Sequence, residues 1–324
     1  MTDRTVVVLA GGLSHERDVS IRSGRRLATA LRRGGLTVNE WDADAALIPR
    51  LRSHRPDAAV IALHGGAGEN GAVQSVLGML DIPFVGTDPS GCRRTWDKPA
   101  AKAELRQAGL STPDWVALPQ SVFSELGAPA VLEALIAKIG LPLVLKPDQG
   151  GSALGVHVVH DASELPTAMV GSLAYSSTVL AERYVCGTEV AVTVIDTGDG
   201  PRALPIVEID PVSGFYDYAA RYTAGLTSFH CPARLDPAVA RRVADVAVQA
   251  HVLLGLRDVS RTDAVVTQDG SVEFLEVNVS PGLTETSLLP MAAQADGSSL
   301  GEVFIALVER ALRRSMVSRE TVTA

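Results

Sequence analysis

The chain has 324 residues, of which 46% are hydrophobic and 20% are charged. These fractions are typical of globular proteins and exclude a disordered or coiled-coil chain, and the length predicts two or three domains of about 150 residues each. The 37 acidic residues outnumber the 25 arginines and 4 lysines and give a net charge of −8. Non-specific binding of nucleic acid requires a clustered basic surface, so we expect no nucleic-acid partner.

The three cysteines are far apart in the sequence and odd in number. We therefore expect neither a disulfide framework nor a zinc site. The apolar run at residues 6–10 is too short for a signal peptide, and no later stretch reaches about 18 apolar residues without a charge. The expectation is a soluble cytoplasmic protein with no membrane partner.

The first 92 residues alternate between strand-like and helix-like patterns. Apolar runs predict strands over residues 6–9, 58–63 and 83–85, and helical spacing of apolar residues predicts helices over residues 20–31 and 72–80. A loop rich in glycine covers residues 64–71. This βαβαβ-like order predicts a Rossmann-like domain with a parallel sheet.

The rest of the chain is predicted to be mixed α and β. Its predicted helices cover residues 97–108, 130–139, 237–254 and 300–314. Its predicted strands cover residues 143–146, 156–159, 179–182, 189–195, 203–208, 263–266 and 272–277. Residues 211–228 lack periodicity, which is typical of a long mobile loop.

Four polar residues form the strongest local cluster. Strand alternation puts Arg261 and Asp263 on one face of a strand, and Glu276 and Asn278 on one face of the next. If these strands pair, their carboxylate and amide oxygens meet beside a guanidinium, which is the donor set of Mg²⁺ sites that share the metal with phosphates. An exposed hairpin with a salt bridge would show the same pattern, so both interpretations stay open.

Lys146 ends an apolar strand directly before a loop of small residues at 147–155. Such a loop lets backbone N–H groups approach the phosphates of a nucleotide. The loop lacks the P-loop pattern, and a simple hairpin turn would have a similar composition. Glu182 and Glu189 flank a later turn, where they could accept from a base or ribose or lie solvated at strand ends.

Glu16 and His64 follow two of the predicted parallel strands at their carboxyl ends, where open α/β sheets place ligands. Glu16 could bind a substrate ammonium group or complement a helix dipole. His64 could orient a carboxylate or satisfy a buried backbone group.

Taken in order, these fragments resemble the D-alanine:D-alanine ligases of the ATP-grasp superfamily. The matching segments are residues 11–20, 64–74, 97–98, 146–155, 182–189, 215–222 and 261–263, and the block Glu276-Val277-Asn278-x-Ser280-Pro281-Gly282-Leu283-Thr284. The resemblance covers nearly the whole chain. It implies an α/β protein with the ATP-grasp fold, in which a Rossmann-like substrate domain (1–92) precedes two α+β subdomains (93–181 and 182–324) that clamp ATP. The last subdomain would carry the metal site and a lid loop at 211–228.

The resemblance also implies the activity. The expected enzyme joins two D-alanines into D-alanyl-D-alanine through an acyl phosphate, for the synthesis of peptidoglycan precursors. It would use ATP and two Mg²⁺ ions, with Mn²⁺ as a substitute, and would form a homodimer. Two alternatives are an ATP-grasp ligase that joins other amino acids in a specialised pathway, and a nucleotide-binding regulator without catalysis.

Residue roles follow from the same resemblance. The residues expected to bind ATP are Lys98, Lys146, Glu182, Arg183, Val185, Glu189 and Arg221, of which the two lysines would contact the α- and β-phosphates, Glu182 the adenine amino group and Glu189 the ribose. Asp263, Glu276 and Asn278 would ligate the metals. Arg261 and the N–H of Gly282 would stabilise the oxyanion.

For the amino-acid substrates, the resemblance implies that Glu16 binds the first ammonium group and forms a triad with Ser152 and Tyr222. Ser287 would bind the second carboxylate, and His64 and Ser280 would line the substrate site. Tyr at position 222 goes with dipeptide formation in this family.

Two residues depart from the family pattern. Arg221 replaces a phosphate-binding lysine, and Asn70 replaces an aspartate. The remaining lysines, Lys102 and Lys138, are expected to be solvated positions on helices.

Overall fold

The computed structural model describes residues 4–223 and 225–323, except for the side chains of residue 222 and residues 317–323. The described residues form three β-sheets. None of the described helices combines the length and the apolar composition that crossing a membrane requires.

The first sheet is parallel, in the order β2-β1-β3-β4. Its elements in chain order are β1 (Thr5–Ala10), α1 (Arg17–Arg33), β2 (Thr37–Asp42), α2 (Leu47–Ser53), β3 (Ala58–Ile61), α3 (Ala72–Met79) and β4 (Phe84–Val85). Gly24 of α1 lies so close to β1 that an added Cβ would be 2.5 Å from the Ala10 Cβ. This arrangement confirms the predicted parallel sheet and adds the edge strand β2, whose polar residues hid it in the sequence.

Two helices connect the first sheet to the second, α4 (Pro89–Trp96) and α5 (Lys98–Gln107). The Asp97 side chain caps α5 by accepting a hydrogen bond from the Ala100 N–H, and Pro99 occupies the first turn of the helix. Lys98 is the first residue of this helix, and the Asp97 cap fixes the backbone from which the Lys98 side chain extends.

The second sheet is antiparallel, in the order β5-β8-β6-β7. Its elements are β5 (Trp115–Pro119), α6 (Ser121–Leu126), α7 (Ala128–Ile139), β6 (Leu143–Pro147), β7 (His157–Val159), α8 (Leu165–Leu173) and β8 (Thr178–Arg183). Apolar side chains of α7 and α8, among them Leu135 and Met169, pack with Leu145 to form its core.

The third sheet is also antiparallel, in the order β12-β11-β9-β13-β14, with β10 paired to β9. Its elements are β9 (Thr188–Ile195), β10 (Arg202–Ala203), β11 (Val207–Pro211), α9 (Tyr218–Tyr222), β12 (Thr227–His230), α10 (Pro237–Leu253), β13 (Val259–Val266) and β14 (Val272–Asn278). Two helices end the chain, α11 (Leu288–Ala295) and α12 (Leu300–Thr323). Phe304 and Leu307 of α12 pack with Leu27 and Leu31 of α1 in the largest core cluster.

Two predicted elements were wrong. The strand predicted over residues 203–208 is two strands, β10 and β11, because Pro205 between them has no N–H for a β-ladder. The loop predicted over 211–228 contains α9, which Asp217 caps by accepting from the Ala220 N–H. The three predicted domain ranges stay a proposal. The predicted boundary at residue 181 lies inside β8, and α5 of the second range packs against β14 of the third through Leu105 and Phe274.

Candidate active site

A cleft of about 450 Å³ lies between the second and third sheets. Its walls include Lys146, Leu154 and Glu182 from the second sheet and its loop, and Ile209 and Leu275 from the third. Small-molecule sites typically have volumes of about 300–1,000 Å³ and mix apolar walls with a few polar groups. The cleft is therefore large enough for a nucleotide.

Lys98 and the loop after β6 form part of the cleft wall. The Lys98 ammonium group donates to the Gly150 carbonyl at 2.7 Å and lies 3.6 Å from a Glu276 carboxylate oxygen. The loop after β6 has positive φ at Gly150, Ser152, Ala153 and Gly155. Successive residues with left-handed backbone turn N–H groups into a concave surface that suits an anion. The predicted phosphate loop therefore has the geometry of an anion site.

Lys146 and Glu182 line the cleft and form a buried ion pair, with 2.5 Å between Nζ and Oε2. The other Glu182 oxygen lies 2.6 Å from the ammonium group of Lys102. Burial would raise the pKa of Glu182, but the two lysines outweigh it and the pKa is lowered. Glu182 is therefore an ionised carboxylate held between two cations.

Lys102 was predicted to be a solvated helix position, and this prediction was wrong. The side chain is 0% exposed, on the face of α5 that packs against β14 and β8. Burial lowers the pKa of Lys102 to about 8, and Glu182 opposes the shift. Lys138, by contrast, is exposed on α7, as predicted.

The predicted metal ligands face one another across two paired strands. In the register of β13 and β14, Asp263 lies opposite Glu276 and Arg261 opposite Asn278, which confirms the predicted pairing. Arg261 donates twice to the Asp263 carboxylate, at 2.7 and 2.8 Å, and the Asn278 side-chain oxygen accepts from the Ser280 N–H at 2.6 Å. Two carboxylates and an amide oxygen are a donor set that fits a hard cation such as Mg²⁺.

Glu189 lies on β9 and lines the same cleft. Burial raises the pKa of its carboxyl group to about 7, and the negative charges of Asp263 and Glu276 act in the same direction. Arg183, the last residue of β8, and Val185, in the segment that joins β8 to β9, also line the cleft. The Arg183 guanidinium lies 3.4 Å from the Asp114 carboxylate, so its charge is compensated.

A second, smaller pocket of about 70 Å³ adjoins the cleft, and Tyr216 and Arg221 line both. This volume suits a group of only a few atoms. Its other lining residues include Glu16, His64, Glu69, Ser152, Arg261, Asn278, Ser280, Gly282 and Ser287. The sequence-predicted site residues therefore all line one cavity or the other, except Tyr222, whose side chain lies outside the described part of the chain.

Glu16 is 9% exposed and accepts a hydrogen bond from the Ser152 hydroxyl. Burial raises the pKa of Glu16, and the Ser152 hydrogen bond opposes the shift. Gly65, with φ of +67°, lets the backbone pass close to this carboxylate, because an added Cβ would lie 2.5 Å from Oε2. Two members of the predicted triad thus meet across the loop that follows β6.

His64 is 4% exposed, and both of its ring nitrogens have protein partners. Nδ1 lies 2.9 Å from the Ser280 carbonyl and Nε2 2.8 Å from the Ser23 hydroxyl. Burial lowers the pKa of His64 to about 4, so the ring is neutral at physiological pH. These contacts favour the interpretation that His64 satisfies buried groups and braces the pocket wall.

Glu69 is a site residue that sequence reasoning did not single out. It is 6% exposed, accepts from the Gly65 N–H at 2.9 Å and lines the small pocket. Burial raises the pKa of Glu69 to about 8, and the nearby Glu16 adds to the shift. The sequence signal that could have identified Glu69 is its position as an acidic residue inside the glycine-rich loop after β3.

The far wall of the small pocket is the N-terminus of α11. Ser287 precedes this helix, and its hydroxyl accepts from the Thr284 N–H at 3.0 Å. An added Cβ on Gly282 would lie 2.8 Å from the Ser287 hydroxyl, so only glycine fits here without a shift. Helix N-termini attract carboxylates. Ser280 supports this wall by donating to the Leu63 carbonyl at 2.7 Å.

The segment after β11 covers both cavities. Its Arg221 guanidinium lies 4.3 Å from the centre of the Tyr216 ring. A cation over an aromatic face is stabilised by the ring's electron density. This stacking holds a positive charge where the two cavities meet.

Comparisons with known proteins agree with this geometry. A family model described as D-ala D-ala ligase C-terminus matches residues 105–309. The chain is 41% identical over 311 residues to a D-alanine–D-alanine ligase from Anaeromyxobacter sp. (strain K), with 96% of each chain covered. Its structure is similar to that of a D-alanine–D-alanine ligase from Bacillus anthracis complexed with ATP, with a TM-score of 0.81, 29% identity, and coverage of 98% of this chain and 100% of that chain.

The structure is also similar to the VanG D-Ala:D-Ser ligase from Enterococcus faecalis, with a TM-score of 0.79, 25% identity, and coverage of 96% of this chain and 100% of that one. These likenesses extend over nearly the whole chain, and the two antiparallel sheets around the cleft form the predicted ATP-grasp fold. The chain belongs to the D-alanine–D-alanine ligase family.

Proposed function

We propose that the protein is an ATP-dependent ligase that joins two D-alanines into D-alanyl-D-alanine for peptidoglycan precursors. One observation carries this proposal: a nucleotide-sized cleft, lined by lysine and arginine side chains together with carboxylates, opens beside a small polar pocket, and Arg221 lines both. A ligase of this kind must bring a phosphoryl group and an amino-acid carboxylate together. The adjoining cavities provide that arrangement.

The cleft would bind ATP. Lys98, Lys146 and the loop after β6, with its positive-φ residues, all line this cleft, so we assign them to the phosphates. Glu182, Arg183 and Val185 would contact the base, and Glu189 the ribose. The cations here neutralise charge during phosphoryl transfer, in which positioning and electrostatics supply most of the catalysis.

Asp263, Glu276 and Asn278 would hold Mg²⁺, which neutralises negative charge on the phosphates when bound. Arg261 stays beside this set through its two hydrogen bonds to Asp263. It therefore keeps a cation between the metal ligands and the small pocket.

The small pocket would bind the first D-alanine, with its ammonium group at Glu16. The substrate carboxylate attacks the γ-phosphorus of ATP, forming a C–O–P linkage and releasing ADP. This step is needed because a free carboxylate has a poor leaving group. The product is an acyl phosphate, and the segment around Tyr216 and Arg221 would exclude the water that hydrolyses it.

The second D-alanine would bind with its carboxylate at Ser287 and the N-terminus of α11. Its free amine attacks the acyl carbonyl, and the tetrahedral oxyanion collapses to expel phosphate and leave an amide. Arg261 and the N–H of Gly282 would stabilise the oxyanion, where loss of one donor typically costs about 10²–10³ in rate.

The proposal also covers the location and the assembly of the enzyme. The reaction consumes ATP, so we place the enzyme in the cytoplasm. A homodimer is proposed from the family resemblance and can be tested by light scattering of the purified chain.

The proposed function is tested by incubating the protein with ATP, Mg²⁺ and D-alanine, and identifying the products by mass. We expect D-alanyl-D-alanine, ADP and phosphate in equal amounts, and no product from L-alanine. D-serine and D-lactate added as acceptors test the alternative substrates. Product formed only with other acceptors, or no phosphate release with any amino acid, would contradict the proposal.

A further inference from the structure

Lys102 is a charged side chain that the proposed mechanism does not use. Its side chain is 0% exposed, on the same helix as Leu105, which packs with Phe274 in the core. A buried ammonium group is costly unless it is paired. A neutral side chain would pack there at lower cost, so the charge itself calls for an explanation.

The Lys102 ammonium group lies where α5, β5, β8 and β14 meet. It is 2.6 Å from Glu182 Oε1, 3.5 Å from the Phe274 carbonyl and 5.5 Å from the centre of the Trp115 ring. Glu182 and Lys146 line the cleft, whereas Lys102 lies behind them, away from the cavity. Lys102 therefore acts on any ligand only through Glu182.

Glu182 is held from two sides. Lys146 contacts Oε2 at 2.5 Å, and Lys102 contacts Oε1. The positive groups that repel Lys102 are Lys146 and Arg106, so Glu182 is its main electrostatic partner. With both cations in place the carboxylate is fixed in orientation and acts only as a hydrogen-bond acceptor.

An acceptor at this place discriminates between purine bases. Adenine presents a 6-amino donor, whereas hypoxanthine and guanine present a 6-oxo acceptor at the same position. An ionised carboxylate bonds the first and repels the second. A carboxyl group that gained a proton or turned away would lose this preference.

We propose that Lys102 is a positioning residue that makes the enzyme selective for adenine nucleotides, by holding the Glu182 carboxylate as an acceptor for the 6-amino group. The inference rests on the proposed function, which puts the base beside Glu182. A purely structural role for Lys102 would affect folding alone, whereas a positioning role requires that Lys102 affect the preference for adenine over 6-oxopurine nucleotides.

The test compares ATP with inosine triphosphate, whose base has a 6-oxo group and an N1–H where adenine has a 6-amino group and an unprotonated N1. The variants are Lys102→Met, which keeps the length of the side chain without the charge, Lys102→Arg, which keeps the charge, and Lys138→Met, an exposed lysine as the matched control. For each, kcat/KM is measured for both nucleotides with saturating D-alanine, together with KM for D-alanine and the thermal unfolding temperature.

We expect Lys102→Met to lower the ATP-to-inosine-triphosphate ratio of kcat/KM by about tenfold, through loss of an orienting contact to a charged group. Its KM for ATP should rise, while KM for D-alanine stays within about twofold. Lys102→Arg should recover part of the ratio, and Lys138→Met should match the wild type. In a Glu182→Gln background, Lys102→Met should have no further effect on the ratio.

A folded Lys102→Met protein with the wild-type ratio would overturn the inference, as would a Glu182→Gln protein that keeps the full preference for ATP. Failure of both Lys102 variants to fold would assign the residue a purely structural role and would also overturn it. Titration calorimetry with each nucleotide, without D-alanine, measures the same preference as binding. If the wild-type protein binds ATP selectively but makes no dipeptide, the proposed ligase activity fails, and the calorimetric preference of Lys102→Met for ATP then decides the inference about Lys102.

Discussion

Asp263 and Glu276 lie directly opposite each other on β13 and β14, next to an irregularity in the register between Asp263 and Ala264. Bulges re-aim side chains at functional sites. The pairing brings two carboxylates from opposite sides of a hairpin to one wall of the cleft. Lys98 lies 3.6 Å from Glu276, so the acidic pair is also next to a cation.

Glu276→Gln should lower phosphate release by at least about 100-fold, because an amide is a weaker ligand for Mg²⁺ than a carboxylate and leaves Lys98 without its partner. The measurement is D-alanine-dependent phosphate release over a range of Mg²⁺ concentrations. Glu133→Gln, an exposed position on α7, is the control. Near-normal release at low Mg²⁺ would refute the metal role.

Ser152→Ala should weaken binding of the first D-alanine, most strongly in acid. The ionised Glu16 would bind the ammonium group, so kcat/KM for D-alanine falls as the pH drops through the raised pKa of Glu16. Removing the Ser152 hydrogen bond raises that pKa further and moves the fall to higher pH. On this acidic limb we expect kcat/KM to drop by about tenfold.

The pH profile of kcat/KM for D-alanine measures this shift, and Ser124→Ala on the exposed surface of α6 is the control. An unchanged acidic limb in Ser152→Ala would show that the hydrogen bond to Glu16 does not tune substrate binding.

Arg221→Ala should reduce kcat/KM for ATP by about 100-fold, because it removes the cation that lies between the two cavities. Arg221→Lys should keep most of the activity, since the charge remains although the stacking on Tyr216 is lost. Steady-state kinetics with varied ATP measure both effects. Arg241→Ala, at an exposed position on α10, is the control. An Arg221→Ala enzyme with the wild-type kcat/KM for ATP would exclude a role for the Arg221 charge.

Asp258→Ala should destabilise the fold by about 3 kcal/mol, because Asp258 is 0% exposed and compensates two arginines that remain partly exposed. Its carboxylate accepts from Arg314 at 2.5 and 2.8 Å and from the Gly86 N–H at 2.7 Å, and so joins α12 to the first sheet. Urea unfolding gives the free energy of unfolding.

Glu40→Gln, which breaks the exposed pair with Arg32, should leave that free energy nearly unchanged. Equal destabilisation by Asp258→Ala and Glu40→Gln would contradict the stabilising role of the buried Asp258 carboxylate.

The sequence predicts the site better than it predicts the surroundings of the site. Strand alternation placed Arg261, Asp263, Glu276 and Asn278 correctly, because a period of two is a local property. Lys102 was misjudged because its burial depends on β8 and β14, which are distant in the sequence. Glu69 was passed over for a different reason, since a single acid in a loop carries no periodic signal.

Short or polar elements also escaped prediction. The strand β2 buries only Val38, and α9 consists of five residues, so neither has the apolar pattern that marks a core element. Their positions are set by neighbouring strands and by the Asp217 cap.

In the proposed reaction, a D-alanine carboxylate is activated by direct transfer of the γ-phosphoryl group of ATP. D-alanine labelled with ¹⁸O in its carboxylate tests this most directly, with mass analysis of the released phosphate. The attacking carboxylate oxygen stays on phosphorus when the amine expels phosphate, so each phosphate should carry one ¹⁸O atom. Phosphate without ¹⁸O, released along with dipeptide, would contradict the acyl-phosphate mechanism.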